Sequence, residues 1–145
     1  MERQQFLKTL GISFATVCVG ACFSDCSKKN NATPANTPPE GTIVSANLSE
    51  LTAIGKKVVV GNIAIFRIAA GDIASSFIAT ESLCTHQKGT LQWNAGLNVI
   101  ECQSHFAQFS PDGVNTRPPQ GGGVASKLAT YIITVADGKV NAKVA

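Results

Sequence analysis

From Gly41 onward the apolar residues come in short runs rich in Val, Ile and Phe, and each run is cut off by Gly, Asn-Gly-like or Asp-Gly punctuation. β-Branched and aromatic side chains pack well on a pleated surface, while Gly, Asn and Asp supply the backbone of tight turns, so the pattern favours strands over helices. It predicts strands over residues 42–45, 57–60, 63–69, 73–80, 90–93, 97–101, 128–135 and 139–144. Gly71-Asp72, Asn94-Ala95-Gly96 and Ala136-Asp137-Gly138 are the expected turns between consecutive strands, and only residues 48–54 suit a helical turn. Eight short strands in about a hundred residues imply an all-β fold, a small antiparallel sandwich or barrel. Residues 81–89 and 102–123 do not read as strands, and these two loops hold the distinctive chemistry.

The chain has 145 residues, about one domain's length. Hydrophobic residues make up 44% and charged residues 14%, which permits a packed core and excludes wholesale disorder or a strongly charged nucleic-acid surface. A net charge of +3 names no partner.

The N-terminus is organised differently. Met1 to Lys8 carry Arg3 and Lys8, and a mostly apolar run of about twelve residues follows from Leu10 to Ala21. Spanning a bilayer takes ~20 residues, so the layout is that of a secretory signal. Val19-Gly20-Ala21-Cys22 resembles the lipobox of bacterial lipoproteins, which implies cleavage before Cys22 and acylation of that residue. An ordinary signal helix, with Cys18, Cys22 and Cys26 incidental, is the plainer alternative. Cys26 follows Asp25, a poor cleavage context. Arg3-Gln4-Gln5-Phe6-Leu7-Lys8 is similar to a twin-arginine export signal with glutamine in place of the second arginine. Residues 24–40 contain three prolines and no large apolar side chain, and therefore read as a flexible tether. The expected organisation is a signal over 1–21, a tether over 22–40 and a folded domain over 41–145. The protein is then exported to the periplasmic or cell-envelope side and attached to the membrane by its lipid.

Five cysteines and two histidines occur in the chain. Both histidines follow the only two cysteines of the folded domain, as Cys84-Thr85-His86 and Cys102-Gln103-Ser104-His105. The fifteen residues from Gln87 to Glu101 form a hairpin that can bring the two loops side by side. Thiolates and neutral imidazoles bind zinc, copper or iron-sulfur clusters, whereas magnesium and calcium prefer oxygen. A mononuclear Cys2His2 zinc site is chemically acceptable. Zinc spacings, however, pair like with like, and here each loop supplies one residue of each type. A two-iron cluster with Cys2His2 ligation matches that distribution. A disulfide between Cys84 and Cys102 is a further alternative in an oxidising compartment, but it leaves the placement of the histidines unexplained.

The pattern C-T-H-x-x-G followed by C-x-x-H, with Gly122, Leu128 and Tyr131 trailing as G-x-x-x-x-x-L-x-x-Y, resembles the Rieske 2Fe-2S domain family over most of residues 41–145. The resemblance implies an all-β domain with a two-loop cluster-binding subdomain. Cys84 and Cys102 would hold the inner iron and His86 and His105 the outer one, with imidazole edges reaching solvent. High-potential members carry a second cysteine in each loop, joined as a disulfide. The corresponding residues here are Gly89 and Ser104, so that brace cannot form. The glycine and serine that follow the second histidine in those members are replaced here by Phe106 and Ala107, and a tyrosine whose hydroxyl donates a hydrogen bond to a cysteine sulfur is replaced by Phe109. Hydrogen bonds to sulfur stabilise the reduced cluster, so losing two donors lowers the expected potential. Gln103 and Ser104 are candidate replacement donors, Phe106 and Phe109 candidate shields or core residues, and Trp93 and Tyr131 core or sheet residues. Pro118-Pro119 with Gly121-Gly122-Gly123 is similar to the family's proline-rich loop over the cluster.

The expected function is one-electron transfer to redox partner proteins, without nucleic acid and without an autonomous enzyme site. Alternatives are the Rieske subunit of a larger quinol- or arsenite-oxidase-like enzyme, a dioxygenase-type ferredoxin, and a zinc-stabilised binding module.

Overall fold

A computed structural model describes residues 38–145. The expected signal, most of the tether, Cys18, Cys22 and Cys26 lie outside the described residues. Ten strands follow in order: β1 Ile43–Asn47, β2 Lys57–Val60, β3 Ile63–Arg67, β4 Phe77–Glu81, β5 Leu91–Asn94, β6 Val99–Cys102, β7 Gln108–Phe109, β8 Asn115–Arg117, β9 Thr130–Ala136 and β10 Lys139–Lys143. They form a six-stranded sheet in the order β1-β10-β9-β4-β3-β2 and a four-stranded sheet in the order β5-β6-β7-β8. Every pairing is antiparallel. The fold is all-β, as the punctuated apolar runs require.

Strand β3 organises the interior, for all of its residues are buried. Successive side chains of a strand point to opposite faces. Ile63 and Ile65 therefore join Leu51, Phe77, Ala79, Val140 and Ala142 in one core, while Ala64 and Phe66 join Leu91, Trp93, Ile100, Phe109 and Leu128 in another. The first core fills the six-stranded base and the second fills the smaller sheet. Lys57 Nζ donates to Leu91 O at 2.6 Å and Gln92 Nε2 to Gly55 O at 2.6 Å, tying the two sheets together.

The β9–β10 hairpin turns on Asp137 and Gly138, with φ of 51° and 71°. A two-residue hairpin loop that twists with its strands needs φ > 0 at both positions, which is why Asp-Gly stands there.

The structure corrects several expected boundaries. Residues 73–80 do not form one strand: Ala74–Ser76 is a 3-10 turn, held by Ser76 N–H donating to Ile73 O and by Ser76 Oγ donating to Ala70 O at 2.8 Å. The helical turn expected over 48–54 is a 3-10 turn over Leu48–Glu50 alone. Residues 102–123, read as irregular, contain β7 and β8, so there are ten strands and not eight. Strands of two or three residues show no period in sequence. They exist because β6 offers a free edge, and the Asn115 side-chain amide bonds Gln108 O and Arg117 O at 3.0 Å each. Among the described residues no helix is long and apolar enough to cross a membrane.

Candidate metal centre

The two chemistry-bearing loops have the same backbone closure. In the first, Cys84 N–H donates to Gly89 O at 2.8 Å and Lys88 N–H to Cys84 O at 2.9 Å; in the second, Cys102 N–H donates to Ala107 O at 2.8 Å and Phe106 N–H to Cys102 O at 2.9 Å. Each loop is left-handed at its fifth residue, with φ of 57° at Lys88 and 55° at Phe106. The histidine is the third residue of one loop and the fourth of the other. The loops stand side by side because β5 pairs with β6 and Gln103 N–H donates to Thr90 O at 2.9 Å.

This arrangement brings all four expected side chains together. Cys84 and Cys102 are buried, free of disulfide, and close enough to each other to interact. Burial pushes the Cys84 thiol above its ordinary value, and the backbone amides of His86 and Gln87, which donate to its sulfur, oppose that shift. The His86 and His105 rings lie 4.9 Å apart between centroids, edge to face at 80°. Both rings are partly exposed, yet the Nδ1 atom of each is buried without a hydrogen-bond partner.

Two orphaned imidazole nitrogens would cost about 1–3 kcal/mol each if nothing met them. A pair of buried thiols beside a pair of inward-facing nitrogens fits a cluster with two irons, one for each pair.

The third wall is the 118–126 segment, pinned to both loops. Gln120 N–H donates to His105 O at 2.7 Å, and Thr85 Oγ1 donates to Ser126 O at 2.7 Å. Between these pins Gly123, at φ +95°, comes so close to His86 that a Cβ there would sit 2.6 Å from Nε2.

Residues 41–131 match the family model of the Rieske [2Fe-2S] domain. The chain belongs to the Rieske family. Rieske domains bind a 2Fe-2S cluster and carry electrons on it. The fold is also similar to that of the cyanobacterial plasma membrane Rieske protein PetC3 from Synechocystis PCC 6803, with a TM-score of 0.51 at 19% identity, covering 67% of this chain and 94% of that one. No curated protein matches the chain.

Within this Rieske domain the candidate donors divide. The Gln103 side chain turns away from the sulfurs and donates to Glu101 O at 3.3 Å. Ser104 stays near them: a Cβ on Gly89 would lie 2.6 Å from Ser104 Oγ and 2.8 Å from Cys102 Sγ. Phe109 is a core residue and Trp93 is buried beside it, whereas Phe106, expected to shield or pack, is 42% exposed. Sequence reasoning did not find the Gly123–His86 approach or the buried Trp93 Nε1, which has no partner. The glycine triplet was the available signal for the first; the second had none.

Proposed function

We propose that the protein is an exported one-electron carrier in which Cys84 and Cys102 hold one iron of the 2Fe-2S cluster and His86 and His105 the other, through their Nδ1 atoms. The observation that carries this reading is the pair of buried, unpartnered Nδ1 atoms beside two free buried thiols. The cluster supplies reversible one-electron chemistry. The chain's own residues do the rest. The buried cysteines keep water from the sulfur side. The His86 and Gln87 amides place partial positive charge on Cys84 Sγ, and the partly exposed rings carry the site to the surface.

Gly89 and Ser104 stand where high-potential relatives have a bridging cysteine pair. Phe106, Ala107 and Phe109 bring no hydroxyl to the sulfurs. Fewer donors stabilise the reduced state less, so the potential lies at the low end of the Rieske range of about −150 to +300 mV. The N-terminal pattern supports a lipid on Cys22 as the attachment to a membrane, in keeping with a plasma-membrane protein among structures of similar fold.

The test is an EPR and optical spectrum of the dithionite-reduced protein with an iron count, followed by voltammetry. A Rieske spectrum with two irons per chain and a potential in the lower part of the range is expected. A colourless protein containing zinc overturns the cluster assignment, and a potential near the top of the range overturns the donor argument. In membrane fractions, Cys22→Ala is expected to become soluble; a protein that stays membrane-bound overturns the lipid anchor.

A further inference from the structure

Lys57 belongs to the base, but its charge is delivered to the back of the tip. It stands on β2 opposite Phe66 of β3, and Phe66 lies in the core that also holds Cys84 and Cys102. The Lys57 Nζ atom is 5.9 Å from the centre of the Phe66 ring and donates to Leu91 O at 2.6 Å. Leu91 in turn stands opposite Cys102 across the β5–β6 hairpin, and both side chains are fully buried in that same core. In the neighbouring pair Gln103 N–H donates to Thr90 O. Antiparallel pairs alternate, so Leu91 and Cys102 form a pair whose backbones exchange no hydrogen bond and whose side chains come closest. Leu91 O then points outward from the edge strand β5, where the ammonium meets it.

No carboxylate cancels this charge. Among the described residues the one ion pair is Arg67–Asp72, in the base. Glu101 is the only carboxylate of β5 and β6, and it accepts from Gln108 Nε2 at 2.8 Å. It precedes Cys102 in the strand, so its side chain leaves the opposite face of the sheet. Between Lys57 and the thiols lie Phe66 and Leu91, apolar groups that screen a charge far less than water does. The partial burial that lowers the Lys57 pKa reflects the same poorly screening surroundings.

We propose that Lys57 sets the reduction potential from outside the ligand shell: its ammonium, held behind Leu91 and Phe66, favours the more negative, reduced cluster and offsets part of what the missing sulfur donors remove. The proposal rests on the cluster reading above. Reduction adds one electron from a one-electron donor, iron(III) to iron(II), and Lys57 neither gains nor loses a proton. A cation at this remove, in partly screened surroundings, favours the reduced form roughly threefold to tenfold.

Voltammetry of the full-length, cluster-loaded protein at pH 7, with an EPR spectrum of each sample, tests it. Lys57→Met keeps most of the apolar stem and is expected to retain the spectrum while the reduced form becomes about threefold to tenfold less favoured, a fall of up to about 59 mV for one electron. Lys57→Arg restores the charge and is expected to restore the potential. Lys57→Gln keeps a donor without the charge, should fall as Lys57→Met does, and decides the matter if Lys57→Met loses its cluster. Lys56→Met removes the same charge from the exposed neighbouring position and is expected to shift the potential much less. An unchanged potential in a spectrally intact uncharged variant, a fall in Lys57→Arg as large as in Lys57→Met, or an equal fall in Lys56→Met overturns the assignment. Loss of the cluster in both uncharged variants marks the residue as structural and overturns it too. A wild-type protein with no Rieske spectrum overturns the cluster reading itself, and that result is visible before any potential is compared.

Discussion

The six-stranded base and the four-stranded tip are made from the same sort of short antiparallel strand, but their interiors are completed differently. Every buried polar residue of the base is satisfied by the base itself. Arg67 donates to Leu51 O at 2.8 Å, to Ala69 O at 3.2 Å and to Gly71 O at 2.9 Å, and pairs with Asp72 at 2.9 Å; Ser76 donates to Ala70 O and Thr80 to Glu81 O. In the tip, by contrast, His86 Nδ1, Trp93 Nε1 and His105 Nδ1 are buried and unpartnered, and two free thiols share the core. Native interiors rarely leave such groups unmet. The base closes on its own side chains, whereas on the proposed ligation the two histidine nitrogens and the two thiols of the tip are met by the cluster, which makes metal binding part of the tip's folding energy.

Removing a proposed cluster ligand should give the largest effect. Cys102→Ser or His105→Ala is expected to abolish the reduced EPR signal, and hydrogen exchange should then rise across β5, β6, β7 and β8 while β1, β9 and β10 keep their protection. Equal loss of protection in both sheets would show that the tip does not depend on the cluster in this way.

Matched core truncations come next. Ile65→Ala in the base and Leu91→Ala in the tip both remove fully buried side chains and should each cost about 2–5 kcal/mol in urea unfolding. Only Leu91→Ala is expected to disturb the cluster spectrum, because Leu91 pairs with Cys102 across the hairpin.

Gly123 and Gly122 allow a narrower test. Both have φ +95°, but an added Cβ meets His86 at 123 and open space at 122. Gly122→Ala should cost about 1–2 kcal/mol from backbone conformation alone, and Gly123→Ala more, with a change in the reduced EPR spectrum that Gly122→Ala lacks.

The smallest expected effect is at the seam between base and tip. Burial lowers the Lys57 pKa below its ordinary value of 10.5. The unfolded chain then holds that proton to higher pH than the folded one, so stability rises with pH once the lowered pKa is passed and levels off above 10.5. Urea midpoints of wild type relative to Lys57→Met should therefore improve as pH climbs toward 10, by less than about 1 kcal/mol for a partly exposed group.

Much of this was legible in the residues. Cys84, His86, Cys102 and His105 stood out because no other histidine occurs and each lies close in sequence to its cysteine, so local turns alone set the spacing within each pair. The strand class followed from Val- and Ile-rich runs between turn residues. β7 and β8 were not legible, because two- and three-residue strands are produced by a neighbouring edge rather than by their own composition. Of the two roles open to Phe106, shield or core residue, its 42% exposure removes the second, because the closure of its loop keeps it out of the core that Phe109 enters.

The chemistry of the site was fixed locally, by residue types that few other roles require and by turns only a few residues long. The convergence of that chemistry was not. That both Nδ1 atoms face inward, that Gly123 abuts His86 and that β3 separates a self-contained core from an unfinished one all depend on contacts between residues far apart in the chain. Such contacts arise only when sheets pack, because burial and the pairing of buried polar atoms are properties of the whole fold rather than of any segment.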